Sequence, residues 1–403
     1  MSLDVRLMQP HEARASSDAS RTALLMGANS DETWEKARSS WEGDYVAASA
    51  WDGDECVGHV GSLDFLMMLP GGTRVPTAGL TRVGVLPTHT RRGLLTRMMH
   101  EVLSEERRRG KAMAALLASE VMIYTRFGFG LATEEHRLLI DVPRVGHIAG
   151  GAPGSFRLLR RDEVLATVAE IHHRVADRPG SIVRLPWLAA RYFEGAAGGE
   201  LSEHVVVHTS PDGVDDGFAQ YRLKWHDSDG VERLGECEVK DVVGATPAVE
   251  LALWQYLTRI SLVREITYER APKDHVLRHA VHDSRAIRVL GQWDELFVRP
   301  LHVEACLAQR TYAPAQGEVA LRITDPLFPD NDGVWTISSA GARRTDAAPQ
   351  VTGTVNALGS TLLGGSTWTD QATIGRAEGD AASLGLLDTL FRHHTLPFCG
   401  SFF

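Results

Sequence analysis

Cysteine is scarce in this 403-residue chain. The four cysteines are Cys56, Cys237, Cys306 and Cys399, and no two of them form a CxxC pair. Disulfide frameworks and structural zinc sites need closely spaced cysteines, so we expect neither, and we expect no bound metal.

Long apolar runs are also missing. The N-terminal stretch MSLDVRLMQPHEARASSD has no apolar segment of signal-peptide length. No stretch reaches the roughly 18 apolar residues that a membrane span requires. We therefore expect a cytoplasmic protein without a membrane span.

Positive charge is in deficit, and the formal net charge is -10. Nucleic acid is a disfavoured partner because phosphate binding needs clustered positive charge. The balance suits a cationic substrate, although many enzymes are equally acidic. Hydrophobic content of 43% and charged content of 23% are typical of globular proteins, and the length predicts two or three domains.

The first segment, up to about Val145, mixes strands and helices. The segments YVAASAW, CVGHVGSLDFLMML, GLTRVGVLP, AMAALLASE and HRLLIDV are predicted strands. Apolar residues recur at helical spacing in RGLLTRMMHEVLSEERRRG, which predicts an amphipathic helix. A stretch rich in glycine and small residues follows from Arg144 and is predicted to be a linker.

The middle segment repeats one pattern of the first. Strand, turn and helix occur in this order at Leu80–His100 and again at Glu236–Thr258. The second copy has Ala245-Thr246-Pro247 in place of a basic, glycine-containing turn. We interpret it as a degenerate internal repeat, although such units are common in α/β proteins.

From about Pro300 a smaller α+β domain is predicted, with no obvious catalytic cluster. The segments HVEACLAQR and AASLGLLDTLFRHH are predicted helices. The segments EVALRITD, GVWTISS, QVTGTVNALGSTLL and ATIGRAE are predicted strands.

The most informative stretch is Val83–Thr96, VGVLPTHTRRGLLT, in which a strand leads through a basic turn into a helix. Backbone N–H groups at a helix start are unpaired and carry partial positive charge, which suits a pyrophosphate. Gly93 permits close approach of the backbone, and Arg91 and Arg92 supply countercharge.

Other phosphate loops are excluded, because GxxxxGK[ST] and GxGxxG are both missing. The stretch resembles motif A of the GCN5-related N-acetyltransferases, in which a strand precedes [Q/R]-x-x-G-x-[G/A]. Gly93 fills the central glycine, whereas Thr90 and Leu95 depart from the pattern. The alternative is a helix start with two solvated arginines.

A second run, Ser119–Gly130, contains Tyr124 followed by RFGFG. Acetyltransferases of this fold carry a similar Y-x-x-x-G-F run after the next strand. A phenol has a pKa of about 10 and can protonate a leaving thiolate. The alternative is that Tyr124 only packs against Phe127.

Four runs together closely resemble the Eis (enhanced intracellular survival) acetyltransferases of bacteria. They are PTAGL at 76–80, VLPTHTRRGLL at 85–95, AALLASE at 114–120 and IYTRFGFGLAT at 123–133. The resemblance is strong over the first third of the chain and weaker beyond it.

The resemblance implies three domains. They are a catalytic acetyltransferase fold at 1–146, a degenerate acetyltransferase fold at 152–299, and a sterol-carrier-protein-like α+β domain at 300–403. It also implies a homohexamer, with Tyr124 as general acid. The residues that it implies for acetyl-CoA contact are Val83, Gly84, Val85, Arg91, Arg92, Gly93, Leu94, Leu95, Thr96, Ser119 and Glu120.

The resemblance further implies that the α-carboxylate of Phe403 is the general base. The tail LPFCGSFF is compatible, because it ends in apolar residues and Pro397 and Gly400 would let it turn inward. An exposed α-carboxylate has a pKa of about 3.3–3.7, too low for an efficient base unless burial raises it. The alternative is that both terminal phenylalanines only pack.

Family members acetylate amines, aminoglycosides included, which links them to antibiotic resistance. Two alternatives are a protein or peptide lysine acetyltransferase and a non-catalytic protein that binds an apolar ligand. Tyr124 and Gly93 argue against the last. Acidic and aromatic residues that could line a cation pocket, none of them assigned, are Asp18, Asp31, Glu32, Glu35, Trp34 and Trp41.

Several other groups are set aside. The pairs His172-His173 and His393-His394 lie on predicted helices, where neighbouring side chains point to different faces. Cys399 has no evident partner for nucleophilic chemistry. His89 is expected to fix the basic turn.

Overall fold

The computed structural model describes residues 3–41, 43, 45–198, 203–228 and 232–403. Internal contacts divide the chain into two units. The first unit comprises Met1–Thr133, Leu296–His394 and Phe402–Phe403. The second comprises Glu134–Glu295 and Thr395–Ser401.

The N-terminal part of the first unit contains the predicted basic turn and amphipathic helix. Its strands are β1 (Asp4–Leu7), β2 (Val46–Asp52), β3 (Glu55–Met68), β4 (Arg74–Val85), β5 (Met113–Leu116) and β6 (Gly130–Leu131). Its helices are α1 (Ala13–Ala23), α2 (Asp31–Ala37) and α3 (Leu94–Arg108). The helical spacing is confirmed, because α3 buries Leu94, Met98, Met99, Val102 and Leu103 on one face.

The second unit is built around a mixed sheet with strand order β13-β7-β12-β11-β10-β9-β8. These strands are β7 (Glu134–Asp141), β8 (Ser155–Leu158), β9 (Glu203–Thr209), β10 (Asp215–Ser228), β11 (Glu232–Gly244), β12 (Val263–Pro272) and β13 (Ile287–Asp294). The helices are α4 (Val142–Val145), α5 (Val164–Val175), α6 (Pro186–Tyr192), α7 (Glu194–Gly198), α8 (Pro247–Leu257) and α9 (Leu277–Ala280). Ile140, Val239, Leu253 and Ile266 lie in its core.

The remainder of the first unit adds one strand to the N-terminal sheet and forms a second sheet. The strands are β14 (Phe297–Pro300), β15 (Glu318–Thr324), β16 (Gly333–Ser338), β17 (Gly341–Arg344), β18 (Val351–Thr354) and β19 (Ala377–Gly379). The helices are α10 (Val303–Gln309), α11 (Val355–Thr361), α12 (Trp368–Thr373) and α13 (Ala381–Phe391). The strand orders are β1-β2-β3-β4-β5-β14-β6 and β17-β16-β15-β18-β19.

Two strands lie in sheets that their positions along the chain do not predict. β14 lies between β5 and β6, with Phe297 opposite both Leu116 and Leu131. β7 follows β6 directly in sequence, yet it pairs with β12 and β13 of the second unit. The sheets therefore do not follow the predicted boundaries at residues 146 and 300, which stay predictions.

Two predicted strands near the C-terminus are wrong in large part. In QVTGTVNALGSTLL only Val351–Thr354 is extended, and Val355–Thr361 is helical. The reason is local, because the Thr354 side chain accepts from the Ala357 N–H and caps the helix. A capping box at Thr367 likewise starts α12, so the strand in ATIGRAE is confined to Ala377–Gly379.

Candidate active site

The site is built where β4 and β5 stop pairing. The two strands run parallel from Thr77–Met113 to Leu80–Leu116. β4 continues to Val85, where it still lies opposite Gly58 of β3. In the described part of the chain, no strand pairs with β4 on its β5 side beyond Leu80. The backbone groups of Val83–Val85 on that side are therefore open to an extended partner.

A bulge lies at this point of β4. His59 is opposite Gly84 and Gly61 is opposite Thr81, so β4 carries one extra residue. Arg82 lies within the bulge with φ 56°, in the left-handed region that disfavours residues other than glycine. Its guanidinium donates to the carbonyl oxygen and hydroxyl of Ser40 at 3.0 and 2.6 Å and lies over the Trp41 ring. These contacts hold the strained backbone.

The predicted phosphate turn leaves the start of α3 uncapped by a side chain. Gly93 is the N-cap residue with φ 75°, and Arg91 is also left-handed with φ 62°. The first backbone bond of the helix runs from the Arg97 N–H to the Gly93 oxygen at 3.1 Å. The N–H groups of Leu94, Leu95 and Thr96 therefore precede the first intrahelical donor and suit an anion.

The remaining residues of the turn divide into structural and exposed ones. His89 lies between the Thr88 hydroxyl, at 2.8 Å, and the Asp52 carboxylate, at 3.2 Å. These contacts agree with a role in fixing the turn. Arg91 and Arg92 are exposed beside the helix start. The residues present thus fit a pyrophosphate-containing group, with backbone donors and two guanidinium groups on one turn.

Tyr124 lies between two short 3-10 helices, Val121–Ile123 and Thr125–Phe127, and is 6% exposed. Its ring meets Phe129 edge-on, with centroids 6.1 Å apart. Burial, and then the charge of Glu120, raise the pKa of Tyr124 to about 12. The phenol is therefore neutral and able to donate a proton over the whole physiological range.

One apolar cluster joins the predicted site residues. Tyr124 and Leu94 belong to the same buried cluster, and Val83, Val85 and Leu95 pack against it. Ser119 and Glu120 are exposed just before the tyrosine segment. The structure therefore brings the strand end, the helix start and the phenol together around one core.

Sequence reasoning missed Asn356, which holds the tyrosine segment. Its amide donates to the backbone oxygens of Thr125 and Phe129 at 2.7 and 2.9 Å. Because these residues flank Tyr124, the amide fixes the loop that carries the phenol. The available signal was Thr354, a capping residue that predicts a helix start two residues before Asn356.

Phe403 lies beside the last paired residues of β4. Its ring meets Phe65 of β3 with centroids 4.8 Å apart. A Cβ atom added to Gly79 would lie 2.3 Å from the Phe65 ring, which requires a glycine there, and 3.2 Å from the Phe403 ring. Phe403 is half-buried, whereas Phe402 is 57% exposed.

The N-terminal acids are mostly engaged in local contacts. Asp31 pairs with Arg14 at 2.6 Å and Glu32 with Lys36 at 2.9 Å. Asp18 accepts from the backbone N–H and the side-chain amide of Asn29. Trp34 and Trp41 contact each other, with centroids 6.2 Å apart. These contacts do not identify a cation pocket.

The groups set aside on sequence grounds are placed as follows. Burial, and then the charge of Glu295, raise the pKa of the Cys399 thiol to about 12, which makes it a poor nucleophile. His172 is buried and His173 exposed, as expected for helical neighbours. The other pair was wrongly assigned to a helix, because α13 ends at Phe391 before His393 and His394.

Two features are absent from the residues that the structure describes. No group of three or more histidine, cysteine, aspartate or glutamate side chains could hold a metal ion there. No helix in that part of the chain is long and apolar enough to cross a membrane.

Family comparisons divide the chain into three parts. Residues 4–132 and 180–300 each match an acetyltransferase (GNAT) domain family. Residues 303–400 match a sterol carrier protein domain family. The predicted architecture, two acetyltransferase folds and a sterol-carrier-like α+β domain, is confirmed.

Individual relatives cover most of the chain. An uncharacterized N-acetyltransferase of Streptomyces coelicolor is 35% identical over 83% of this chain and 81% of its own length. The N-acetyltransferase Eis of Mycobacterium bovis is 32% identical over 86% of this chain and 85% of its own. The crystal structure of Eis1 from Mycobacterium abscessus superposes with a TM-score of 0.88 at 33% identity, covering 100% of both chains.

The relatives indicate the same family as the basic turn, the tyrosine segment and the open edge of β4. GNAT domains use acetyl-CoA, and the uncapped start of α3 has the donors that its pyrophosphate needs. The chain belongs to the Eis family of GCN5-related N-acetyltransferases and is an acetyl-CoA-dependent N-acetyltransferase.

Proposed function

We propose that the enzyme acetylates primary amines of small polycationic substrates, aminoglycosides included, at one or more positions. The observation that carries the proposal is the neutral, buried phenol of Tyr124 in the apolar cluster against which the open edge of β4 packs. The formal net charge of -10 favours cationic acceptors.

Acetyl-CoA would be held in two parts. The N–H groups of Leu94, Leu95 and Thr96, the Gly93 backbone, and the side chains of Arg91 and Arg92 would bind its phosphates. The open backbone of Val83, Gly84 and Val85 would pair with its amide-containing arm as an added strand. Ser119 and Glu120 would border the thioester end, next to Tyr124.

The transfer needs one acid and one base. The α-carboxylate of Phe403 takes a proton from the substrate ammonium, and the freed amine nitrogen attacks the acetyl carbonyl carbon. The carbon–sulfur bond breaks, and the departing thiolate takes the phenolic proton of Tyr124. The nitrogen gives up its second proton, which returns to the Tyr124 phenolate, and the terminal carboxyl group releases its own proton to solvent. The products are the N-acetylated amine and CoA thiol. The inward position of the Phe403 ring on Phe65 supports the role of the carboxylate.

A thiol-release assay tests the proposal. Acetyl-CoA is supplied with a panel of aminoglycosides, polyamines and lysine peptides, and CoA release is followed. We expect the highest kcat/KM with an aminoglycoside. A preference for lysine peptides would contradict the proposed small-molecule substrates and indicate a peptide acetyltransferase. If no amine led to CoA release, the proposed transfer to amines would be wrong.

The base has its own test. Two glycines added after Phe403 move the α-carboxylate away without changing any side chain. Turnover should fall to a low residual rate while the acetyl-CoA Kd stays within about twofold. Full turnover by this extended chain would exclude the terminal carboxylate.

We also propose a homohexamer, on the strength of the family membership alone. Light scattering coupled to size-exclusion chromatography should give six times the 44.1 kDa chain mass. A smaller stable assembly would contradict this.

A further inference from the structure

The segment Thr395–Ser401, just before the terminal phenylalanines, groups with the second unit. Chain ends are usually mobile and solvated. Here Ser401 and Cys399 are 0% and 3% exposed. The backbone N–H groups of Leu396, Phe398, Cys399 and Gly400 are hydrogen-bonded. Phe402 and Phe403, which come next, group with the first unit.

A buried carboxylate receives two consecutive backbone donors of this tail. The Cys399 N–H donates to Glu295 Oε2 at 3.0 Å, and the Gly400 N–H donates to Oε1 at 2.8 Å. Glu295 is 2% exposed and is paired with Arg270 at 3.2 Å. Gly400 has φ 63°, so the tail turns where the carboxylate holds it.

A buried guanidinium holds the other side of the same turn. Arg184 donates from Nη2 to the Gly400 oxygen and from Nε to the Ser401 hydroxyl, both at 3.0 Å. It is paired with Asp241 at 2.7 Å, and both side chains are less than a tenth exposed. Asp241 lies at the bulge of β11, in the second acetyltransferase fold.

A third ion pair clamps the start of the tail. The Leu396 N–H donates to Asp274 at 2.8 Å, and its oxygen accepts from Arg178 at 3.2 Å. Arg178 and Asp274 are themselves paired at 2.6 Å. Buried ion pairs add little net stability because desolvation offsets their attraction. One such buried pair, Arg184–Asp241, and two partly buried pairs are directed at one tail, and fixing its position explains them better.

We propose that Glu295 and Arg184 are positioning residues, which set the α-carboxylate of Phe403 by fixing the backbone of Gly400 and Ser401. The inference rests on the proposed role of that carboxylate as general base. The degenerate acetyltransferase fold then has a function, because Arg184, paired with Asp241 at the β11 bulge, holds the C-terminal segment of the same chain.

The test uses the full-length chain with Glu295→Gln, which keeps the shape and removes the charge. We expect kcat to fall about 10- to 100-fold with acetyl-CoA affinity unchanged, because small misplacements of a reacting group have effects of this size. The matched control is Glu134→Gln, which removes a partly exposed carboxylate of the same unit paired with Lys273. It should keep wild-type kcat.

A pH profile separates positioning from general damage. At high pH the substrate amine arrives deprotonated and needs no base, so the Glu295→Gln deficit should shrink as pH rises towards the amine pKa. A deficit that is constant with pH would overturn the inference. Ser401→Ala is a second variant in the tail, which removes only the Arg184 Nε acceptor, and a several-fold loss of kcat with the same pH trend is expected.

The two-glycine extension distinguishes this inference from the proposed function. If the carboxylate is the base, Glu295→Gln should cause no further loss in the extended chain. An equal loss in both backgrounds would overturn the positioning role. If the extended chain is inactive while Glu295→Gln and Ser401→Ala match wild type, the positioning role is wrong and the carboxylate of Phe403 remains the proposed base. If the extended chain is fully active, the base itself fails.

Discussion

The two acetyltransferase folds share a backbone plan and differ in one turn. In the first, β4 pairs in parallel with β5 up to Leu80 and bulges just beyond. In the second, β11 pairs in parallel with β12 up to Val239 and bulges at the next residue, because Gln220 lies opposite Asp241 and Tyr221 opposite Val239. The predicted internal repeat is thus present, and in both copies the two parallel strands stop pairing beside a bulge.

We expect the turn between strand and helix to decide which copy can accept a phosphate. Eight residues, 86–93, separate β4 from α3, whereas only Ala245 and Thr246 separate β11 from α8. The Thr246 hydroxyl accepts from the Val249 N–H at 3.3 Å and so caps α8. A Cβ atom on Gly244 would lie 2.9 Å from the Glu250 nitrogen, so strand and helix meet closely.

The two copies also differ in the charged residues at the start of the helix. Arg91 and Arg92 stand before α3, whereas Glu250 occupies the first turn of α8. Above its raised pKa of about 7, the Glu250 carboxylate repels the anion that the helix dipole would otherwise attract. We therefore expect cofactor binding to depend on the length, capping and charge of one turn, and not on the fold alone.

The largest expected effect is on the acid, for which the second copy offers a control. Tyr124→Phe should lower kcat about 100- to 1000-fold at unchanged acetyl-CoA affinity, because the thiolate loses its proton donor. Tyr256→Phe in α8 removes a hydroxyl that pairs with Tyr221 at 3.0 Å and should leave kcat unchanged. Because the pKa of Tyr124 is raised to about 12, wild-type kcat should show no decline between pH 8 and 10.5 from its ionisation. Wild-type kcat in Tyr124→Phe would contradict the assignment.

The charge difference has the next largest effect. Arg91→Gln with Arg92→Gln should raise the KM for acetyl-CoA about 10- to 100-fold, through lost charge-assisted hydrogen bonds. Acetyl-pantetheine lacks the phosphates, so its kcat/KM should not change. Calorimetry should give one acetyl-CoA bound per chain, and two would show that the capped turn of α8 also binds.

Both ends of α3 carry a left-handed glycine with open space around its Cβ position, Gly93 with φ 75° and Gly110 with φ 80°. Alanine at either position should cost about 1 kcal/mol of stability through backbone strain. Only Gly93→Ala should raise the acetyl-CoA KM, by a few-fold. Equal KM values in the two variants would show that the helix start does not bind the cofactor.

The smallest effect concerns the acid that replaces the arginines. Burial, opposed by the Arg178 charge and assisted by Asp274, Asp177 and Asp241, raises the pKa of Glu250 to about 7. A carboxyl whose pKa is higher in the folded state loses stabilising free energy as pH rises from about 4.5 to about 7. Glu250→Gln should therefore raise the Tm by about 2–5 °C at pH 8 and change it little near pH 5. A Tm gain independent of pH would contradict the raised pKa.

The segments of the site that depend on neighbouring residues could be predicted from the sequence, whereas the long-range contacts that hold them could not. The basic turn, the periodic face of α3 and the tyrosine segment are each specified by neighbouring residues, which is why Gly93, Arg91 and Tyr124 could be named from the sequence. Asn356 and the pairing of β14 are contacts between residues far apart in the chain. No periodicity or spacing encodes such contacts, because they depend on which surfaces meet after folding.

The position of β14 also sets an order of events during synthesis. Residues 1–133 emerge first, but their sheet lacks the strand between β5 and β6 until Phe297–Pro300 have been made. Until about 160 further residues have been translated, β5 and β6 lack the strand that pairs with both of them. Such a nascent chain depends on protection from aggregation, and an expressed fragment that ends before β14 would present the same edges permanently.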